Sequence, residues 1–174
     1  MPDTELFLSL AEIAGVFVGF GALIAVRGGG ASGRVEVGYT RGMVMFGVLT
    51  VVAALAPVTL ARYDLTEHQV WALSSALVLV GWLVFFATQT RTPEYRANVV
   101  AGYEATRARR VVVVESVAIG LYMLVAVLAP IAIILAVAPD LEAALYFTVV
   151  VVILLGAAWL LLALVYAQRS PAGA

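Results

Sequence analysis

Glu12 is a carboxylate inside the first long apolar run of the chain, residues 6–26. A helix over this run turns by about 100° per residue, which brings a set of polar and apolar positions onto one face. We call this face the polar stripe, and its members are Glu5, Ser9, Glu12, Val16, Leu23 and Arg27. The order of acid, hydroxyl, acid, apolar constriction and base favours a path for cations or protons. In this interpretation Glu5 and Glu12 attract and select the ion, and Arg27 guards the opposite exit.

The depth of Glu12 in the membrane demands a physical reason for its charge. Glu12 follows Leu6 by six residues, which places it about 9 Å below the nearer membrane boundary. An ionised side chain near the centre of a membrane span costs roughly 2.5–3.5 kcal/mol on insertion scales. The group must therefore be protonated, paired or in contact with water, which makes it a candidate proton carrier or cation ligand. The alternative is structural: a protonated Glu12 hydrogen-bonds a neighbouring helix.

A stripe of small residues lies beside the polar stripe on the same predicted helix. Its members are Ala11, Gly15, Gly19 and Ala22. Gly15 and Gly19 have the GxxxG spacing, which lets the backbones of two membrane helices approach closely. This small-residue stripe predicts a helix-packing surface.

A further carboxylate stands near the start of the fourth apolar run. Glu115 follows Val111 by four residues, so it can reach the membrane interface. Tyr122 shares its face at i+7, and the two are secondary candidates for extending a polar path. Alternatively, Glu115 forms an ion pair with Arg41 or Arg110.

The composition indicates an integral membrane protein and leaves little room for enzymatic chemistry. Hydrophobic residues make up 64% of the chain and charged residues 12%, far from the values of soluble domains. Cysteine is absent and His68 is the only histidine, so disulfides, thiolate metal sites and cysteine nucleophiles are excluded. No cluster of a nucleophile, a base and an orienting group is evident. We expect no catalytic residues, no cofactor and no nucleic-acid partner, and the sequence identifies no metal.

Five apolar runs, each long enough to cross the ~30 Å hydrocarbon core, organise the chain. They cover residues 6–26, 42–61, 70–88, 111–138 and 141–167. Pro139 is expected to end the fourth helix and Asp140 to cap the fifth. Residues 89–110 are predicted to form a partly helical cytoplasmic segment. The expected fold is an all-α polytopic membrane bundle of five transmembrane helices, a single domain over residues 1–174.

Arginines predict the orientation of the bundle, because cytoplasmic loops hold the excess of basic residues. Nine of the ten arginines fall on one side of the five-span pattern, and Arg62 falls on the other. The N-terminus is therefore expected outside and the C-terminus in the cytoplasm, with a bacterial inner (plasma) membrane as the expected location. The cytoplasmic arginines are expected to contact anionic lipid headgroups.

The same orientation gathers acidic residues at the outer face. We call them the acidic collar: Asp3, Glu5, Asp64, Glu67, Asp140 and Glu142. An acidic mouth concentrates cations by electrostatic focusing, which favours a cation path over an anion path. Alternatively, these acids merely complete the orientation signal.

The leading hypothesis from the sequence is a homo-oligomeric membrane protein that conducts or exchanges cations or protons along the first span. Five helices patterned to pack on one another leave no wide pore in a single chain, so symmetry must assemble the path. The competing hypothesis is a non-conducting scaffold or accessory subunit. In that case Gly15 and Gly19 pack against a partner helix, and Glu12 fixes the register of the contact.

Overall fold

The structure, a computed structural model, describes residues 3–27, 34–91 and 109–169. Its α-helices are α1 Thr4–Arg27, α2 Arg34–Leu60, α3 Glu67–Thr90, α4 Arg109–Ile134 and α5 Glu142–Arg169. A short 3-10 turn, Pro139–Leu141, precedes α5, and the described residues contain no β-strand. The predicted all-α class is confirmed.

Four stretches of the described chain are long and apolar enough to cross a membrane, which indicates a membrane-embedded protein. They are Thr4–Ile24, Thr40–Leu60, Glu67–Thr88 and Pro139–Leu162. The apolar stretch found in α4, Gly120–Ile134, is shorter. The crossing predicted for residues 111–138, and the orientation of the bundle, stay predictions.

The helices extend beyond several of the apolar runs. α2 begins at Arg34, whereas the second run begins at residue 42, and α3 begins at Glu67, before the third run. A helix satisfies its own backbone N–H and C=O groups, so it continues through the polar interface until a turn stops it. Most of the predicted segment 89–110 lies outside the described residues.

α4 ends earlier than the sequence predicted, at Ile134 and not at Pro139. Ala136 has a left-handed backbone, with φ of 50°. Its N–H donates to the carbonyl oxygen of Ile133, and the N–H of Val137 donates to that of Ala132, both at 3.0 Å. These two bonds form a Schellman motif, which ends the helix before the proline is reached.

The predicted cap at Asp140 is also wrong. α5 begins at Glu142, so a cap would have to be the residue before it, whereas Asp140 lies inside the 3-10 turn. Pro139 opens that turn, where its missing N–H costs no hydrogen bond. Pro139 therefore begins the 3-10 turn that leads into α5, and it does not end α4.

α2 lies at the centre of the bundle, where it packs against α1, α3 and α5. α5 also contacts α4 and, near their starts, α1 and α3. The Phe7 ring of α1 lies against Trp71 of α3 and Tyr146 of α5, with ring centroids 6.2 and 6.1 Å apart. The N-terminal ends of these three helices therefore share one end of the bundle. We call it the acidic end, because the acidic collar stands beside these helix starts.

Candidate functional site

α1 contacts the rest of the bundle through one face. Phe7, Leu10 and Ala14 are buried on it. Farther along, a Cβ atom on Gly21 would overlap Val44 Cγ2 of α2. A Cβ atom on Gly47 of α2 would lie 2.7 Å from Val18 Cγ2 and 3.2 Å from the Ala14 carbonyl oxygen. Gly21 and Gly47 therefore permit the close approach of α1 and α2.

The polar stripe lies on the opposite side of α1 and points away from the bundle. Glu5, Ser9 and Glu12 are exposed, and Val16 and Leu23 keep 56% and 62% of their surface exposed. The structure thus brings these residues together on one face, as their spacing predicted. Arg27 is the last residue of α1, and its side chain is outside the described part of the structure.

Glu12 has no hydrogen-bond or ion-pair partner among the residues that the structure describes. The nearby Ser9 hydroxyl is occupied, because it donates a 2.9 Å hydrogen bond to the carbonyl oxygen of Glu5 in its own helix. Glu12 sits in the apolar stretch Thr4–Ile24, so an isolated chain would present this carboxylate to lipid. Because an intramembrane charge is costly in contact with lipid, it calls for water, a proton or a second protein.

The small-residue stripe is open over most of its length. A Cβ atom on Gly15 or Gly19 would meet nothing within 4 Å. Ala22 is exposed, and Ala11 is half-buried. The contact between α1 and α2 thus depends on Gly21 and Gly47 and not on the small-residue stripe. A role of Gly15 and Gly19 in packing against a second chain stays a prediction.

The two secondary candidates both lie in α4. The side chain of Glu115 is outside the described part of the chain. Tyr122 packs edge-on against Trp82 and Phe46, with ring centroids 5.9 and 6.1 Å away. A Cβ atom on Gly156 of α5 would lie 2.6 Å from the Tyr122 hydroxyl oxygen, so this glycine makes room for the phenol. Tyr122 is therefore partly buried against the core of the bundle.

A hydrogen bond between two ionisable side chains at the acidic end escaped the sequence-based prediction. Glu142 is only 4% exposed, and its Oε1 lies 2.6 Å from Nδ1 of His68. The His68 side chain is 43% exposed, so one partner is in the core and the other reaches the surface. The pair ties the start of α3 to the start of α5. A signal was present, since His68 stands just before the third apolar run and Glu142 at the start of the fifth, and both runs begin on the same predicted side of the membrane.

A second internal hydrogen bond compensates for the backbone donor that the proline in α2 lacks. Pro57 lies inside this helix and has no N–H, so the carbonyl oxygen of Ala53, four residues earlier, lacks its usual donor. The Tyr146 hydroxyl of α5 donates a 2.7 Å hydrogen bond to that oxygen. Tyr146 is held there by the buried Trp71, whose ring centroid is 5.5 Å away. The proline spacing identifies the acceptor in the sequence, but nothing in the sequence identifies the donor.

These observations separate two kinds of polar group. Glu142 and Tyr146 have partners within the chain and hold helices together, whereas the polar stripe is turned outward. Over residues 3–27, 34–91 and 109–169, no group of three or more His, Cys, Asp or Glu side chains could hold a metal ion. The outward face of α1 is therefore the candidate functional site.

No protein-family model, no curated protein and no solved structure matches this chain. The candidate site accordingly rests on the residues and contacts described above.

Proposed function

We propose that the protein is a homo-oligomeric membrane protein that forms a path for cations or protons, lined by the polar stripe of α1. The observation that carries the proposal is the position of Glu12, exposed within an apolar helix on the side facing away from the bundle. A carboxylate at this position is costly in lipid and favourable beside water. A path shared between copies supplies that water.

Copies arranged around a symmetry axis would turn their α1 helices toward one another. Glu5 and Glu12 would then face a common aqueous space and attract cations into it. Val16 and Leu23, both largely exposed in the single chain, would meet as a dry constriction. Arg27 would stand beyond it, at the far end of the path.

The proposal includes five crossings, with the N-terminus outside and the C-terminus in the cytoplasm of a bacterial plasma membrane. α4 has 26 residues, which at 1.5 Å per residue gives about 39 Å, more than the ~30 Å hydrocarbon core. The acidic end would then be the outer mouth, where the exposed Asp3, Asp64 and Asp140 raise the local concentration of cations. The cytoplasmic arginines would contact anionic headgroups.

Flux measurements on purified protein in liposomes test this proposal. Vesicles containing the wild-type protein should pass protons or monovalent cations faster than empty vesicles. Glu12→Gln keeps the size of the side chain and removes its charge, so we expect flux to fall about tenfold or more, the effect of losing ~1.4 kcal/mol of attraction. Asp140→Asn is the matched comparison: it removes an exposed acid at the outer mouth, away from α1, so it should lower the flux much less than Glu12→Gln does. The proposal fails if wild-type flux equals that of empty vesicles or is indifferent to Glu12→Gln.

The open space beside Gly15 and Gly19 favours a second candidate function, a scaffold or accessory subunit that does not conduct. Here the small-residue stripe packs against a partner helix, and Glu12 fixes the register of that contact. Gly15→Leu should then disrupt assembly, measured by light scattering during size-exclusion chromatography, in a protein without transport activity. Gly120→Leu is the control, because Gly120 of α4 is also exposed with nothing near its Cβ position. Equal assembly of both variants would remove the support for the scaffold.

A further inference from the structure

An apolar groove runs between α2 and α3 on the surface of the bundle. Its volume is about 320 Å³, and its walls include Val52, Leu55, Ala56 and Thr59 of α2 and Leu77 of α3. The Thr59 hydroxyl is the one polar group among these side chains. The groove therefore suits a hydrocarbon ligand.

The length of the groove matches half of a bilayer. Its lining on α2 runs from Val51 to Leu60, which at 1.5 Å per residue is about 14 Å, close to half of the ~30 Å hydrocarbon core. It starts near the middle of the membrane-spanning stretch Thr40–Leu60 and ends where that stretch ends. One extended acyl chain of the adjoining leaflet would fill it from end to end.

An arginine, Arg62, follows directly after the end of α2 that lines the groove. Arg62 follows Thr59 by three residues, and its N–H donates a 3.1 Å hydrogen bond to the Thr59 carbonyl oxygen, so the turn continues the course of α2. Arg62 is exposed, and the neighbouring Tyr63 keeps 65% of its surface exposed. A guanidinium binds phosphate oxygens well, and tyrosine is favoured at the level of the headgroups.

We propose that this groove binds one phospholipid, with an acyl chain between α2 and α3 and its phosphate at Arg62. The complementarity of Arg62 to a phosphate selects a phospholipid over an uncharged lipid. The site lies on α2 and α3 and is independent of the polar stripe of α1.

Native mass spectrometry of the protein in mild detergent tests the site. With palmitoyl-oleoyl phosphatidylglycerol added, we expect one adduct per chain that survives collisional activation. The diacylglycerol with the same chains, which has no phosphate, should be retained about fivefold less, and Arg62→Gln should lower phosphatidylglycerol retention by the same factor. Inorganic phosphate alone should give no stable adduct, because the groove would stay unfilled.

Leu55→Trp should abolish the adduct by filling the groove. Leu155→Trp is its control, since Leu155 is 61% exposed on α5. If Leu55→Trp fails to fold, as judged by its elution and melting temperature, the phosphatidylglycerol retention of the Arg62→Gln variant, altered at an exposed residue, still tests the proposal. Equal retention by Arg62→Gln and wild type, or of the diacylglycerol and the phospholipid, would overturn the proposal and indicate lipid bound without a defined site.

Discussion

The polar groups at the acidic end and those on the outward face of α1 differ in where their partners lie. Glu142 pairs with His68, and Tyr146 bonds the carbonyl oxygen of Ala53, both within the chain. Glu12 has no such partner among the described residues. Because a polar group within a membrane needs a partner, the first set serves folding, and the second is available to something outside the chain. Variants that remove the contacts of Glu142 and Tyr146 should therefore lose stability, and variants of the polar stripe should lose function.

The largest expected loss of stability comes from the glycine contact that determines which face of α1 is turned outward. Gly47→Leu places a side chain where even a Cβ atom would lie 2.7 Å from Val18 Cγ2 and 3.2 Å from a backbone oxygen. Overpacking of this kind costs about 1–3 kcal/mol. We expect a loss near the upper value, measured by the fluorescence of the buried Trp71 and Trp82 during unfolding in detergent. Gly15→Leu should leave the unfolding of the dissociated chain unchanged, and equal losses would show that the packing face is misassigned.

The bond between Tyr146 and the proline break in α2 should have the next largest effect. Tyr146→Phe leaves the carbonyl oxygen of Ala53 buried without a donor, which costs about 1–3 kcal/mol. Pro57→Ala restores a backbone N–H to that oxygen, so the effect of Tyr146→Phe should shrink in this background. If the losses of the two variants are additive in the double-mutant cycle, the Tyr146 hydroxyl does not replace the missing N–H of Pro57. The exposed Tyr63 supplies the control, because Tyr63→Phe should change the stability little.

The hydrogen bond between His68 and Glu142 at the acidic end should contribute less, because one partner reaches the surface. His68→Ala removes the 2.6 Å contact of the buried Glu142, and we expect a loss of about 1 kcal/mol, below the 1.5–3 kcal/mol of a buried charged hydrogen bond. Glu142→Gln should reduce the cost of His68→Ala, since an uncharged amide is less costly to leave unpaired. Asp140→Ala, at an exposed acid two residues away, is the control. No difference between His68→Ala and Asp140→Ala would mean that the pair does not hold α3 to α5.

The sequence predicts the helices and the grouping of the polar stripe because both depend on local properties. Apolar length and helical periodicity suffice to place Glu5, Ser9 and Glu12 on one face of α1. Which face packs depends on the partner helix, and the GxxxG spacing of Gly15 and Gly19 does not identify that partner. The contact is set instead by Gly21 and Gly47, whose fit against α2 and α1 exists only in three dimensions.

Two features could not be predicted from the sequence. One depends on a long-range contact, and the other depends on a backbone conformation that its residue type disfavours. His68 and Glu142 are 74 residues apart, and their pairing follows only once α3 and α5 are packed side by side. The end of α4 depends on Ala136 in a left-handed conformation, which glycine usually supplies. Alanine carries no signal for such a turn, so the sequence pointed to Pro139 instead.

The smallest effect on stability, and the most informative one, is expected at Glu12. Glu12→Gln alters an exposed side chain without a partner among the described residues, so the unfolding free energy of the dissociated chain should change by less than about 0.5 kcal/mol. The same variant should change flux in liposomes about tenfold under the proposed function. A chain that keeps its stability and loses its flux would sharpen the contrast with Glu142, whose carboxylate is held within the fold. A loss of stability at Glu12 as large as that of His68→Ala would break the contrast, because it would give Glu12 a structural partner within the chain.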